Sequence, residues 1–167
     1  LALEGDREAA MPHLQAALSV YDLQAHYSGE YLSDLGLSLL LLGQPQLANR
    51  VLQQAQDQGA VDAVTQGRVG AVAMQLGQLD RARAAYEEAV NREPGRAAWH
   101  SNLGGILTRQ QYLDEALEQY DIALNYDPAM TKAIDARQRV LVALERTEEV
   151  IEQLEQQLTE DTDNLDL

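Results

Sequence analysis

The chain has no cysteine and no phenylalanine, only four prolines in 167 residues, and 12 basic side chains against 27 acidic ones. Without cysteine it can form neither a disulfide nor a thiolate metal site, and the redox compartment stays open. Scarce proline, with Ala, Leu, Gln and Glu dominant, favours helix. The formal net charge of −15 argues against a nucleic-acid partner, whose phosphates need a basic surface. It also argues against docking on anionic lipid. Solubility is the simplest reading of that acidity. Long apolar runs are absent too: Leu39 to Leu42, like Val140 to Leu144, falls far short of the roughly 20 residues that span a bilayer. No signal peptide is visible, and Leu1 falls in mid-pattern. The chain is therefore expected to be a piece of a longer protein, one that continues past Leu167 because Asp161-Thr162-Asp163-Asn164 still echoes a repeat boundary.

What the chain does have is repetition. VGAVAMQLGQLDRARAAYEEAVNREP, Val69 to Pro94, is answered by LGGILTRQQYLDEALEQYDIALNYDP, Leu103 to Pro128. Gly70, Ala82, Tyr86, Ala89 and Pro94 recur as Gly104, Ala116, Tyr120, Ala123 and Pro128, each 34 residues further on. A constant shift of this length marks a helical repeat array. The units read as 29–62, 63–96 and 97–130, followed by a degenerate fourth over 131–167. Residues 1–28 read as the second half of a leading repeat plus a connector.

Each unit alternates two helices. Gly43 and Gly77 stop first helices with a residue that tolerates positive φ, while Gln111 takes that place in the third unit. Pro45, Asp80 and Asp114 open second helices, where an aspartate can satisfy free N–H groups. Pro94 and Pro128 end units two and three by forcing the preceding residue out of helical geometry. Ala60 stands where those prolines stand, so the first unit's closing turn is expected to be less sharply fixed. Gly36, Gly70 and Gly104 lie in first helices and Ala48, Ala82 and Ala116 in second helices, where bare backbone allows close approach while Leu52, Tyr86 and Tyr120 are among the side chains that fill the surrounding gaps. A single helix pair leaves its apolar face uncovered, so each pair must rest on the next.

These units resemble tetratricopeptide repeats. The resemblance rests on Leu35-Gly36 and Leu103-Gly104, on the small residues Ala48, Ala55, Ala82, Ala89, Ala116 and Ala123, and on Pro94 and Pro128. It is strongest in units two and three. Trp99 falls one residue ahead of the family's aromatic place, which His100 takes. The resemblance implies an all-α, right-handed superhelical array of antiparallel helix pairs, with first helices lining a concave face. It further implies a non-catalytic scaffold that holds a peptide or partner protein there.

Ligand-contacting places of the family fall on Leu37, Leu40 and Leu41 in the first unit. In the second they fall on Arg68, Ala71, Met74 and Gln75, and in the third on Asn102, Gly105, Thr108 and Arg109. The fourth contributes Lys132, Arg139 and Val142. This lining is apolar at one end and basic at the other, while second helices carry Glu87, Glu88, Asp114, Glu115 and Glu118. An acidic, partly apolar peptide suits such a surface. The competing reading puts the leucines in the core and pairs the arginines with nearby acids.

The carboxylate clamp of some tetratricopeptide domains is poorly matched. Only Asn102 and Lys132 fit it, with Ala136, Gly67 and Ala71 where lysine, asparagine or arginine would stand. His26, Glu30 and Asp34 share one helical spacing that could hold a metal, a pattern frequent by chance. No nucleophile elbow or phosphate loop is present, so neither catalysis nor a cofactor is expected. Two alternatives come from the wider company such arrays keep: an accessory array of a glycosyl- or sulfo-transferase, or a component of envelope or pilus assembly.

Overall fold

A computed structural model describes residues 27–144 and residue 151. Most of the leading half-repeat over 1–28, and the second helix expected in the fourth unit, lie outside them. Among the described residues there are seven α-helices and no strand. They divide between two compact units, residues 1–78 and 79–167. The first unit holds α1 (Gly29–Leu41), α2 (Pro45–Asp57) and α3 (Ala63–Gln75). The second holds α4 (Leu79–Arg92), α5 (Ala97–Arg109), α6 (Leu113–Tyr126) and α7 (Thr131–Ala143).

In the first unit α1 packs on both α2 and α3, and α2 on α3. Leu32, Leu39, Ala48, Leu52, Ala55 and Ala73 are completely buried there. The closest approach is at Gly36, where an added Cβ would lie 2.6 Å from Leu52 Cγ. In the second unit α5 contacts α4, α6 and α7, and α6 contacts α7. Gly104 meets the ring of Tyr120, which would lie 2.9 Å from a Cβ at that position. Both glycines let an aliphatic or aromatic side chain of the second helix lie on bare backbone, as the sequence pattern predicts.

The turns follow one recipe. At Gly43, with φ 74°, the Gln44 amide donates to Leu39 O and the Gly43 amide to Leu40 O, both at 2.9 Å. This pair of bonds satisfies two carbonyls that the helix end leaves free. Gly77, with φ 73°, closes α3 in the same way. The first unit's other turn, marked as loose because it has Ala60 for proline, is closed by Gly59 at φ 87° and an Ala60 N–H to Ala55 O bond of 2.9 Å. A glycine one residue earlier does the work assigned to proline. The turn after α5 uses the same geometry with Gln111 at φ 66°.

Helix starts are less uniform. Ser28 Oγ accepts from the Tyr31 amide at 3.2 Å, and Asp62 accepts from Val64 and Thr65 amides at 2.9 and 3.0 Å. Pro45 occupies the start of α2 without a side-chain cap. Asp114 lies in the first turn of α6, but no side-chain bond caps that helix; its charge still suits the helix dipole. Asp80 Oδ1 accepts from Gln110 Nε2 at 2.8 Å. Asp127, ahead of Pro128, has φ −140° and ψ 87°, outside helical geometry as the proline requires.

Gln111 alone among these turns places a Cβ in left-handed backbone, which costs an L-residue free energy that glycine avoids. Gln111→Gly is expected to raise stability by about 0.5–1 kcal/mol, offset slightly by the greater freedom of glycine in the unfolded chain. A urea midpoint unchanged or lowered in the variant would show that the position carries no such strain.

Candidate functional site

The sequence-derived contact residues fall in both units, and each unit treats them differently. In the first, Leu40 is buried at 8 % exposure, whereas Leu41 is 72 % exposed. Leu37, Ala71 and Met74 are half-buried. Arg68 is committed: one guanidinium nitrogen donates to Ser33 Oγ at 2.7 Å and another pairs with Asp34 at 2.7 Å. Leu40 thus lies in the core and Arg68 in an ion pair.

Arg68 belongs to a chain of polar contacts between α1 and α3. Ser33 and Thr65 are each only 1 % exposed, and their hydroxyls lie 2.8 Å apart. The Thr65 hydroxyl donates to Asp62 Oδ2 at 2.7 Å, leaving its oxygen for Ser33. Every buried polar group in this chain has a partner, which avoids the penalty of desolvating it unpaired. Beside it lies a cavity of about 440 Å³ whose walls include Glu30, Asp34, Asp62 and Arg68. Three carboxylates against one guanidinium leave that cavity negative. Burial pushes the Asp62 carboxyl up, but bonds from the Thr65 hydroxyl and the Thr65 and Val64 amides outweigh it and hold the group below the usual carboxylate value.

The sequence reading missed this network, although its signal was present. Ser33 and Thr65 are 32 positions apart, and Ser33 and Arg68 are 35 apart. With a period of 34, residues separated by about one period lie on neighbouring first helices and can touch.

In the second unit the contact residues lie on α5 and α7. Asn102 is exposed, and its side-chain amide donates to the Tyr86 hydroxyl at 3.1 Å. Tyr86 is itself 3 % exposed; burial raises its hydroxyl, against the lowering bond from Asn102, to about 12. Gly105 is half-buried, with the Tyr120 hydroxyl 3.7 Å from where a Cβ would stand. Thr108 donates to the Gly104 carbonyl at 2.8 Å, so its hydroxyl is occupied within its own helix. Arg109, Lys132 and Arg139 are exposed. Asp135, Gln138, Arg139 and Val142 line an open hollow of about 400 Å³ on α7, where Val142 is 54 % exposed.

The displaced aromatic pair is resolved as well. Trp99 is buried, with the Arg96 guanidinium 4.7 Å from its ring centroid, and His100 is buried beside it. Of the metal alternative, His26 lies outside the described residues. Among the described residues no three His, Asp or Glu side chains are grouped to hold a metal. None of the helices there is long and apolar enough to cross a membrane.

Helix pairs closed by positive-φ turns, resting on glycine and alanine, define a helical-repeat protein. Residues 70–134 match the family model of the tetratricopeptide repeat. Its fold is similar to the crystal structure of MamA at 17 % identity, with a TM-score of 0.78 over 98 % of this chain and 94 % of that one. It is also similar to YrrB, described as a TPR protein with an unusual peptide-binding site. That match has 27 % identity and a TM-score of 0.63, over 68 % of this chain and 58 % of that one. A third similar structure is the first TPR of Spaghetti (RPAP3) bound to the HSP90 peptide SRMEEVD. Here identity is 19 % and TM-score 0.67, over 70 % and 93 % of the two chains. Among curated proteins none matches.

Asp62 tests the network directly. Asp62→Ala is expected to cost about 1 kcal/mol near neutral pH, the usual worth of an N-cap. Because the folded carboxyl titrates below its ordinary value, its contribution is present above that value and lost as pH falls through the folded one. The stability gap between parent and variant should therefore close in acid, as read from denaturant midpoints. A gap that stays constant or widens below pH 4 would contradict this.

Proposed function

We propose that this chain is a non-catalytic scaffold that holds a peptide or partner protein on its first helices, with an acidic, partly apolar partner lying on the α5 and α7 surface. The observation that carries this reading is a contrast among the cations. Arg68, Arg83, Arg92, Arg96 and Arg137 each hold a carboxylate. Arg109, Lys132 and Arg139 are exposed and form no ion pair among the described residues. In a chain of net charge −15, cations left without an ion pair are where an acidic segment meets the least repulsion. Exposed Val142 beside Arg139 offers the apolar part of the contact.

Similar folds support the general role: one is seen with the acidic peptide SRMEEVD, and another is described by its peptide-binding site. The carboxylate clamp is not proposed, because Ala136 has no donor and the Asn102 amide already donates to Tyr86. The first unit's leucines Leu37 and Leu41, with Ala71 and Met74, extend the proposal as an apolar contact for the same kind of partner. Arg68 does not belong to the basic part, since its charge is met by Asp34.

The test is a double charge reversal, Arg109→Glu with Arg139→Glu, which leaves the Arg68 network intact. Anisotropy of a labelled glutamate- and valine-rich peptide should show binding weakened roughly tenfold or more, beyond what one exposed ion pair is worth. Salt should weaken the parent complex more than the variant. Equal affinity in parent and variant would remove the α5 and α7 surface from the account.

A further inference from the structure

His100 takes part in neither the proposed contact surface nor any ion pair among the described residues, yet it is only 4 % exposed and bonded at both ring nitrogens. Nε2 lies 2.8 Å from the carbonyl of Pro94. A carbonyl can only accept, so Nε2 carries a proton whatever the charge on the ring. Nδ1 lies 2.9 Å from the side-chain oxygen of Gln119 on α6. With the amide oxygen turned to it Nδ1 must donate, the arrangement that suits an imidazolium; with the NH₂ turned to it Nδ1 accepts, the arrangement that suits the neutral ring.

Neutral His100 would instead present a lone pair at Nδ1, and against a fixed oxygen this would be repulsive. Gln119 is the side chain that can meet both demands. Its amide has an acceptor at one end and a donor at the other, nearly equal in size, exchanged by a half-turn of the last torsion. A carboxylate there could only accept, and an aliphatic side chain could do neither.

We propose that Gln119 is a reversible partner that keeps His100 hydrogen-bonded in both charge states, so that the contact joining Pro94, α5 and α6 survives titration of the imidazole. The ring of Tyr126 stacks on His100 with centroids 6.0 Å apart. The charges on the adjoining elements are engaged elsewhere or turned to solvent. Glu93 and Arg96 flank the proline and pair at 4.0 Å, Asp121 on α6 is held by Arg137, and Glu115 and Glu118 are exposed. No neighbouring carboxylate substitutes for the amide. The consequence is that α5, which carries Asn102, Gly105 and Arg109, keeps its seat whether the imidazole is neutral or charged, and the range to examine is roughly pH 5 to 8.

The test is nitrogen-15 NMR of the full chain across that range. Nε2 should stay protonated throughout, Nδ1 should change from acceptor to donor as the pH falls, and the Gln119 side-chain NH₂ signals should shift in step. Two variants give an independent readout. Gln119→Met leaves the acid form with a buried N–H unmet, so its unfolding equilibrium relative to the parent should shift roughly tenfold further at the acid end. Gln119→Glu should show the opposite sign, with its penalty growing toward the basic end, and it serves if the methionine variant does not fold. Stationary Gln119 signals while His100 titrates would overturn the proposal. So would a neutral ring protonated on Nδ1 in place of Nε2, or variants whose pH profiles parallel the parent's.

Discussion

The constraint on which the structure depends is the absence of a Cβ where a first helix meets the side chain of its second helix. Leu52 occupies the space that a Cβ on Gly36 would claim, and Tyr120 does the same at Gly104. The helices can then approach until large side chains fill the space between backbones, at the packing density of a protein interior. The alanines follow from the same geometry: Ala48, Ala55, Ala82, Ala89, Ala116 and Ala123 are all fully buried. Within each unit the positive-φ turns at Gly43, Gly59 and Gln111 reverse the chain within a few residues and bring the next helix back onto its neighbour. Alter the contact and the turns would lead helices to surfaces that no longer match.

On this apolar frame the polar side chains divide into two kinds. Some are spent inside the array. Ser33, Thr65, Asp62 and Arg68 join α1 to α3, while Asn102 reaches Tyr86 and His100 ties α5 to Pro94 and α6. A buried hydroxyl or imidazole is tolerable only with its partners in place, so these groups also fix which helix surfaces fit together. Others stay exposed on the first helices, Arg109, Lys132 and Arg139 above all. We propose that recognition falls to this second kind, because using them costs no internal bond.

Much of the fold could be read from sequence because the determinants are local or strictly periodic. Glycines at turn positions and small residues one period apart both announce themselves in the chain. Gln111 was legible as a departure from that pattern, and it keeps the glycine-like backbone because the turn's hydrogen bonds impose it. Local chemistry misled in two places. Asp114 looks like a cap, yet the helix end it opens has no side-chain bond, and Ala60 looks like a weak turn, yet Gly59 just before it takes the positive φ that closes it.

The candidate surface was less legible, since a place in the repeat gives a direction and says nothing of neighbours. Leu40 and Leu41 are adjacent in sequence, but a helix turns about 100° per residue, sending one into the core and leaving the other in solvent. Arg68 and Arg109 are both arginines at contact places. Only Arg68 has an aspartate on the neighbouring helix within reach, and that neighbour is about one period away in sequence.

The central claim is tested most directly by a double-mutant cycle on Gly36 and Leu52. In an ordinary helix interior, glycine to alanine stabilises by roughly 0.5–1 kcal/mol. Here the added methyl meets Leu52 and overpacking of about 1–3 kcal/mol should win. Gly36→Ala is therefore predicted to lower stability in the parent and to become neutral or stabilising when Leu52→Ala has cleared the space. A Gly36→Ala variant that is equally stabilising in both backgrounds would contradict the account.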